Sequence, residues 1–111
     1  MKLGSLRGEI MDLIEELQKR IIIPEASVTR YSNGTYWIFI PERFKEIVPK
    51  SAIAKLYFLG NGEEYIEVGE VHIVKVNNKN KAVRLPKRLA YKWEELASKK
   101  RRFILVLEKL S

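Results

Sequence analysis

Two stretches of this chain follow the same order of residues when one is displaced by 45 positions. The matched pairs are Asn33/Asn78, Pro41/Pro86, Arg43/Arg88, Ile38/Val83 and Ile40/Leu85. Each copy is predicted to form a strand, a polar turn, a strand, a short helix opened by the proline, and a last strand. A unit of this size cannot bury its own strands, so the repeat predicts two halves that complete one shared sheet or barrel. Only three of the 21 positions from Val28 to Val48 are identical, so coincidence remains an alternative.

The first 25 residues lie outside the repeat and show helical periodicity. Apolar side chains recur mostly at steps of three and four, at Leu6, Ile10, Leu13, Ile14, Leu17 and Ile21. This spacing predicts an amphipathic helix over residues 5–21, capped by Ser5 and stopped by Pro24. The helix either packs on its own domain or pairs with its copy in a second subunit. Its predicted interface residues are Leu6, Ile10, Leu13 and Leu17.

Short β runs separated by turn residues make up most of the remaining chain. Strands are predicted over residues 35–40, 54–59, 64–68, 71–76, 81–85 and 102–110, with short helices after Pro41 and Pro86. We therefore expect a single α+β domain over residues 1–111. It would hold the N-terminal helix in 1–25, a first β–α–β unit in 26–70 and a second in 71–111.

The composition restricts the chemistry that the chain can perform. It contains no cysteine and one histidine, His72, so disulfides and thiolate metal sites are excluded and histidine-centred triads are poorly supplied. Paired carboxylates such as Glu94 and Glu95 are adjacent in sequence and diverge on a helix. We expect no enzyme activity, no metal and no cofactor. No apolar run approaches the ~20 residues of a membrane span and no signal peptide is visible, so we expect a cytoplasmic protein without membrane contact.

Positive charge is concentrated in one part of the chain. The net charge is +7 at pH 7. Residues 1–74 contain nine basic and eleven acidic side chains, whereas residues 75–102 contain eleven basic and two acidic ones. A local basic patch is typical of nucleic-acid binding, although it also attracts anionic lipids and acidic proteins.

A short motif lies in this basic part. The stretch Ala82-Val83-Arg84-Leu85-Pro86 follows a polar turn and precedes a short basic helix. It resembles the DNA-binding unit of the AbrB/MazE superfamily, especially of the VapB-type antitoxins. The resemblance implies a swapped-hairpin β-barrel, normally built by two chains, whose basic face lies on DNA. Here one chain would supply both units, as a tandem pseudo-dimer.

The residues of the second unit indicate which side chains would meet DNA. Strand alternation puts Val83 and Leu85 on one face, expected to be the core, and Arg84 on the opposite face. Lysines at the turn and cations in the first helical turn can contact phosphates, and asparagines can address bases or phosphates. The predicted DNA-binding set is Lys75, Asn77, Asn78, Lys79, Asn80, Lys81, Arg84, Lys87 and Arg88. A secondary set is Arg30, Lys99, Lys100, Arg101 and Arg102, which either extends the phosphate track or belongs to solvated connectors.

The first unit departs from the motif and is apolar where the second is basic. Its strand TYWIFI, residues 35–40, carries Trp37 and Phe39 at the counterparts of Ala82 and Arg84. A strand that is apolar on both faces is typically buried on both sides. Alternatively, Trp37 and Phe39 form a subunit interface, or a platform on which bases stack.

Together these features predict a sequence-selective, double-stranded DNA-binding protein, a transcriptional regulator that acts through its second unit. A homodimer would follow if the N-terminal helix pairs with its copy. Two alternatives remain open. One is an antitoxin-like or other protein-interaction module, and the other is RNA binding.

Overall fold

The computed structural model describes residues 19–58 and 64–110. Most of the predicted N-terminal helix, including Leu6, Ile10, Leu13 and Leu17, lies outside the described residues. The end of that helix prediction is wrong, because strand β1 spans Arg20–Ser27 and contains Pro24. The pairing of β1 shifts register between Ile23 and Ala26, a bulge of the kind that tolerates a proline.

Seven strands in the described residues form one antiparallel sheet. They are β1 (Arg20–Ser27), β2 (Thr29–Arg30), β3 (Tyr36–Phe39), β4 (Ser51–Tyr57), β5 (Tyr65–Lys75), β6 (Lys81–Arg84) and β7 (Arg102–Lys109). Their order in the sheet is β1-β7-β4-β5-β6-β3-β2. Strands β1 and β2 stand at opposite ends of this order although only Val28 separates them in the chain. The sheet therefore curls into a half-barrel.

The inner face of the half-barrel holds the hydrophobic core. Its largest fully buried side chains include Ile38, Leu56 and Phe103. Helix α1, Ala90–Ser98, adds Trp93 and Leu96 to this core. The Trp93 indole N–H donates to the Pro86 carbonyl at 2.8 Å, so the buried indole is satisfied and α1 is anchored to the chain that leads into it.

The predicted α+β fold of two tandem β–α–β units, with a swapped-hairpin barrel and an N-terminal helix, is wrong. The structure is mostly antiparallel sheet, 51% strand, and apart from isolated 3-10 turns its described residues form one short helix, residues 87–98. We call residues 20–57 (β1 to β4) the first segment and residues 65–109 (β5 to β7) the second. Where the first segment was expected to form a helix it has only the 3-10 turn Glu42–Phe44. Pro41 and Pro49 leave seven residues between them, too few to nucleate a stable helix. No proline interrupts the second segment between Pro86 and the end of α1.

The 45-residue displacement recurs in the pairing of the strands. Ile38 in β3 stands directly opposite Val83 in β6. Two backbone hydrogen bonds flank this pair: Ile40 N–H donates to the Lys81 carbonyl (2.9 Å), and Leu85 N–H donates to the Tyr36 carbonyl (3.0 Å). They are equivalent under the repeat, because Leu85 and Lys81 are the counterparts of Ile40 and Tyr36. Strand β1 pairs with β7, and β5 pairs with β4, so the first strand of each segment joins the last strand of the other. The segments are interleaved in one sheet and do not form separate units.

Strand β5 joins two stretches that the sequence predicts as separate strands, 64–68 and 71–76. Gly69 has φ +87° and lies where the pairing of β5 with β4 shifts register. The turn-like residue therefore marks a bulge at which the strand bends and continues. The strands predicted over 81–85 and 102–110 are confirmed as β6 and β7.

Candidate nucleic-acid interface

The turn between β5 and β6 is organised by one asparagine. The Asn77 side-chain oxygen accepts the backbone N–H groups of Lys79 (2.8 Å) and Asn80 (2.9 Å). Val76 N–H donates to the Asn80 carbonyl at 2.9 Å and closes the turn. An asparagine that bonds its own following backbone is a turn-forming residue. Asn77 therefore shapes the turn and exposes Asn78, Lys79 and Asn80 to solvent.

Lys45 of the first segment is tied to this turn, although the sequence gives no sign of the contact. Its ammonium group donates to the Lys79 carbonyl at 2.7 Å, and the Lys81 ammonium donates to the Lys45 carbonyl at 3.0 Å. The two lysines lie 36 residues apart in the chain. Lys45 lies in a part of the sequence, residues 1–74, whose net charge is negative, so the charge pattern does not indicate a role for it. The fold brings Lys45 to the basic turn.

A groove of about 220 Å³ lies between the two segments here. We call it the lysine groove, and its cationic residues are Lys45, Lys75, Lys79 and Lys81. Asparagines 77, 78 and 80 complete its polar lining, and Glu46 is its one carboxylate. Within the described chain none of the four lysines forms an ion pair. Clustered cations without paired carboxylates create a local positive potential that attracts an anion.

Arg84 and Lys87 do not line the lysine groove. Val83 and Leu85 are buried in the core, and Arg84 is exposed on the other face of β6, which confirms the predicted alternation. Arg84 stands between Trp37 of β3 and His72 of β5. A shallow cleft of about 240 Å³ includes both Arg84 and Lys87. The predicted DNA-binding residues are therefore divided between two surfaces, the lysine groove and the outer face of β6.

Arg88, also predicted to bind DNA, has a contact inside the protein. Its guanidinium donates to the Val68 carbonyl, next to the bulge in β5. A Cβ added at Gly69 would lie 3.2 Å from Arg88 Nη2. Arg88 therefore holds the turn that precedes α1 against β5, and only part of its hydrogen-bonding capacity is left for a ligand.

The secondary residue Arg30 is neutralised within the protein. Its Nε donates to Glu94 at 2.8 Å, its Nη2 also contacts Glu94, and Nη2 donates to the Ser98 hydroxyl at 2.7 Å. The Tyr36 hydroxyl donates to the same carboxylate. The pKa of Glu94 is lowered to about 2, mainly by its hydrogen bonds with Arg30 and to a smaller extent by the one from Tyr36. The sequence could not have predicted this cluster, because its members lie up to 68 residues apart.

Three of the remaining secondary residues also have acidic neighbours. Lys99 pairs with Glu95 at 2.8 Å, Arg101 lies 3.7 Å from Glu64, and Arg102 lies 3.8 Å from Glu25. The Arg101 guanidinium also packs over the Phe58 ring, 4.3 Å from its centroid. Lys100 is exposed at φ +52° and forms no ion pair with the described residues. None of residues 99–102 lines the lysine groove.

The repeat explains why cations remain unpaired at one of two matched positions. Arg30 and Tyr36 face each other across β2 and β3, as their counterparts Lys75 and Lys81 do across β5 and β6. Glu94 of α1 pairs with Arg30 and accepts a hydrogen bond from Tyr36, whereas the residue 45 positions before Glu94 is Pro49. Among the described residues, therefore, no carboxylate forms an ion pair with Lys75 or Lys81.

An aromatic cluster, which we define as Tyr31, Trp37 and Phe39, lies on the outer face of β3. The Tyr31 and Trp37 rings stack with centroids 3.9 Å apart, and Phe39 meets Trp37 edge-on at 6.2 Å. Tyr31 is 43% exposed and Phe39 is 37% exposed. Ile38 between them is fully buried, so this strand buries one face and leaves the other partly in contact with solvent.

Comparisons with protein-family models, with curated proteins and with solved structures find no match to this chain. The AbrB/MazE resemblance therefore stays a prediction. No helix in the described part of the chain is long and apolar enough to cross a membrane. Among the same residues, no group of three or more histidine, aspartate or glutamate side chains lies close enough together to hold a metal ion.

Proposed function

We propose that this protein binds double-stranded DNA, with the lysine groove on the phosphates and Arg84 directed toward the bases. The observation that supports it best is that Lys45, Lys75, Lys79 and Lys81 surround one groove with a single carboxylate and no ion pair to the described residues. Phosphate contacts by lysine release counterions and drive association. Sequence-selective binding by an exposed arginine would suit a transcriptional regulator in the cytoplasm.

Salt dependence tests this proposal directly. Fluorescence anisotropy with a labelled duplex is measured at several salt concentrations for the full chain. The double variant Lys75→Gln/Lys79→Gln should bind more weakly, and the log–log salt slope should become shallower by about 0.9 for each phosphate that the variant no longer neutralises. The matched control, Lys92→Gln on α1 with Lys109→Gln on β7, removes the same charge from residues that do not line the groove.

We expect the control to keep the slope of the unmodified protein. Equal weakening by both double variants would show that net charge, and not the lysine groove, attracts DNA. Absence of duplex binding at low salt would refute the proposed function altogether. Competition with duplex RNA in the same assay tests the RNA alternative.

A second candidate function, binding of a protein partner, is favoured by the aromatic cluster. Two of its three rings are more than a third exposed, and such rings are enriched in protein interfaces. Phe39→Ser with Tyr31→Ser should abolish capture of a specific partner, whereas Lys75→Gln/Lys79→Gln should leave it intact. Failure of capture in the lysine variant alone would instead assign the partner to the lysine groove.

A further inference from the structure

A second cleft, larger than the lysine groove, lies next to it between the start of β4 and the end of β5. Its volume is about 520 Å³. This volume falls within the roughly 300–1,000 Å³ of typical small-molecule sites. Lys75 and Lys81 line both the cleft and the lysine groove, so the two sites share a wall.

The polar side of the cleft is cationic. Lys50, Lys75 and Lys81 line it, and none of them forms an ion pair with the described residues. Ser51 and His72 also line it and lie hydrogen-bonded to each other, Oγ to Nδ1, at 3.1 Å. No carboxylate from the described residues is among its lining groups. An anion would meet three ammonium groups that can donate to its oxygens. Because Ser51 and His72 are bonded to each other, a neutral imidazole leaves one further donor, either the hydroxyl or the second ring nitrogen.

The remaining side of the cleft is apolar. Val48 is buried, Ile73 is partly buried against the core, and Pro49 lies between the 3-10 turn and β4. A bare inorganic anion gains nothing from these side chains, whereas an aliphatic or aromatic body would remove its apolar surface from water there. The lining therefore matches an anionic head joined to an apolar body.

We propose that this cleft binds a small organic anion, a phosphate or carboxylate attached to an apolar group of about one ring. Its anionic head would neutralise Lys75 and Lys81, two of the four lysines of the lysine groove. If the proposed DNA binding holds, on which this last step rests, the occupied cleft weakens it. The protein would then release DNA in response to a metabolite of this chemical class.

Ligand titrations without DNA test the cleft on its own. Phenyl phosphate, benzoate and inorganic phosphate are each titrated into the ¹⁵N-labelled full chain and followed by NMR. We expect phenyl phosphate or benzoate to shift the signals of Ser51, His72 and Ile73 with saturation, and to bind at least about fivefold tighter than inorganic phosphate. The tighter of the two organic ligands distinguishes a phosphate site from a carboxylate site. Equal affinity for all three anions, or shifts spread over the basic surface, would overturn the proposal.

Two single variants separate the cleft from the lysine groove. Lys50 lines only the cleft and Lys79 only the groove. Lys50→Gln should weaken binding of the organic anion by about fivefold and leave duplex binding within twofold, and Lys79→Gln should show the reverse. Unchanged anion binding by Lys50→Gln would overturn the proposal.

Binding of duplex DNA and binding of the organic anion are measured independently, so either can fail alone. A protein that binds phenyl phosphate in the cleft but no duplex would refute the proposed function and keep the site. A protein that binds duplex but no organic anion would refute the site alone. Amide spectra that superimpose outside the substituted region confirm that both variants are folded.

Discussion

A single residue, Glu94, decides which of two matched positions in the repeat keeps unpaired cations. At one position the pair Arg30 and Tyr36 is bound by Glu94, and at the corresponding position Lys75 and Lys81 meet no equivalent carboxylate among the described residues. The alternation of β6 made the exposure of Arg84 predictable from the sequence. The engagement of Arg30 and Arg88 was not predictable, because each contacts a group at least 20 residues away.

The ionised Glu94 carboxylate makes the stability of the protein depend on pH. Its pKa is lowered from 4.5 to about 2 by hydrogen bonds from Arg30 and Tyr36. The stabilisation from this ionised carboxylate is therefore present above about pH 4.5 and is lost as the pH falls toward 2. Glu94→Gln should lower the thermal midpoint at pH 7, and the difference from the unmodified protein should shrink between pH 4.5 and 2. A difference that does not change with pH would contradict an ionic role for Glu94.

Arg84 is exposed on the outer face of β6. If Arg84 reads a base, Arg84→Ala should cost about 1–3 kcal/mol on the preferred duplex and little on unrelated duplexes. If it contacts a phosphate, the cost should be equal on all sequences. Anisotropy titrations on a panel of duplexes, with Lys79→Gln as the phosphate-type reference, distinguish the two outcomes.

Among the helices and strands, the boundaries that the sequence predicts wrongly lie at a proline and a glycine. Pro24 and Gly69 read as breaks in the sequence, yet both lie inside strands, at shifts of register. Whether such a residue ends a strand or bends it depends on the neighbouring strand, which the local sequence does not contain. The strands β6 and β7 were predictable because they alternate or run apolar without interruption.

The bulge at Gly69 gives the element-level prediction. Gly69→Ala places a side chain at φ +87° and puts its Cβ 3.2 Å from Arg88 Nη2. We expect the free energy of unfolding to fall by about 1–2 kcal/mol from the backbone alone, and further from the contact. Gly34→Ala is the control, because Gly34 has φ +72° and its added Cβ meets nothing within 4 Å. Urea denaturation should rank Gly69→Ala as the more destabilising change; the reverse order would show that Arg88 moves aside without cost.

For the whole molecule, the interleaved sheet explains how a chain with charge on one half can present a local positive surface. The lysine groove takes Lys45 from the first segment and Lys75, Lys79 and Lys81 from the second. Helix α1 belongs to the second segment but neutralises Arg30 of the first. The charge distribution along the sequence predicted the cations of the second segment but not Lys45. Which cations share one surface depends on how the strands of the two segments interleave in the sheet.

The effect of the positive charge around the lysine groove can be separated from that of the net charge of +7. Pro49→Glu introduces a carboxylate at the counterpart of Glu94, in the cleft that Lys75 and Lys81 line. Ser27→Glu makes the same change in net charge beside Lys100 and Arg102, away from the lysine groove. At a Debye length of about 10 Å in 0.1 M salt, distant charges are screened, so Pro49→Glu should weaken duplex binding several-fold more than Ser27→Glu. Circular dichroism checks that both variants fold, and equal weakening would mean that DNA responds to total charge and that the asymmetry of the repeat has no part in binding.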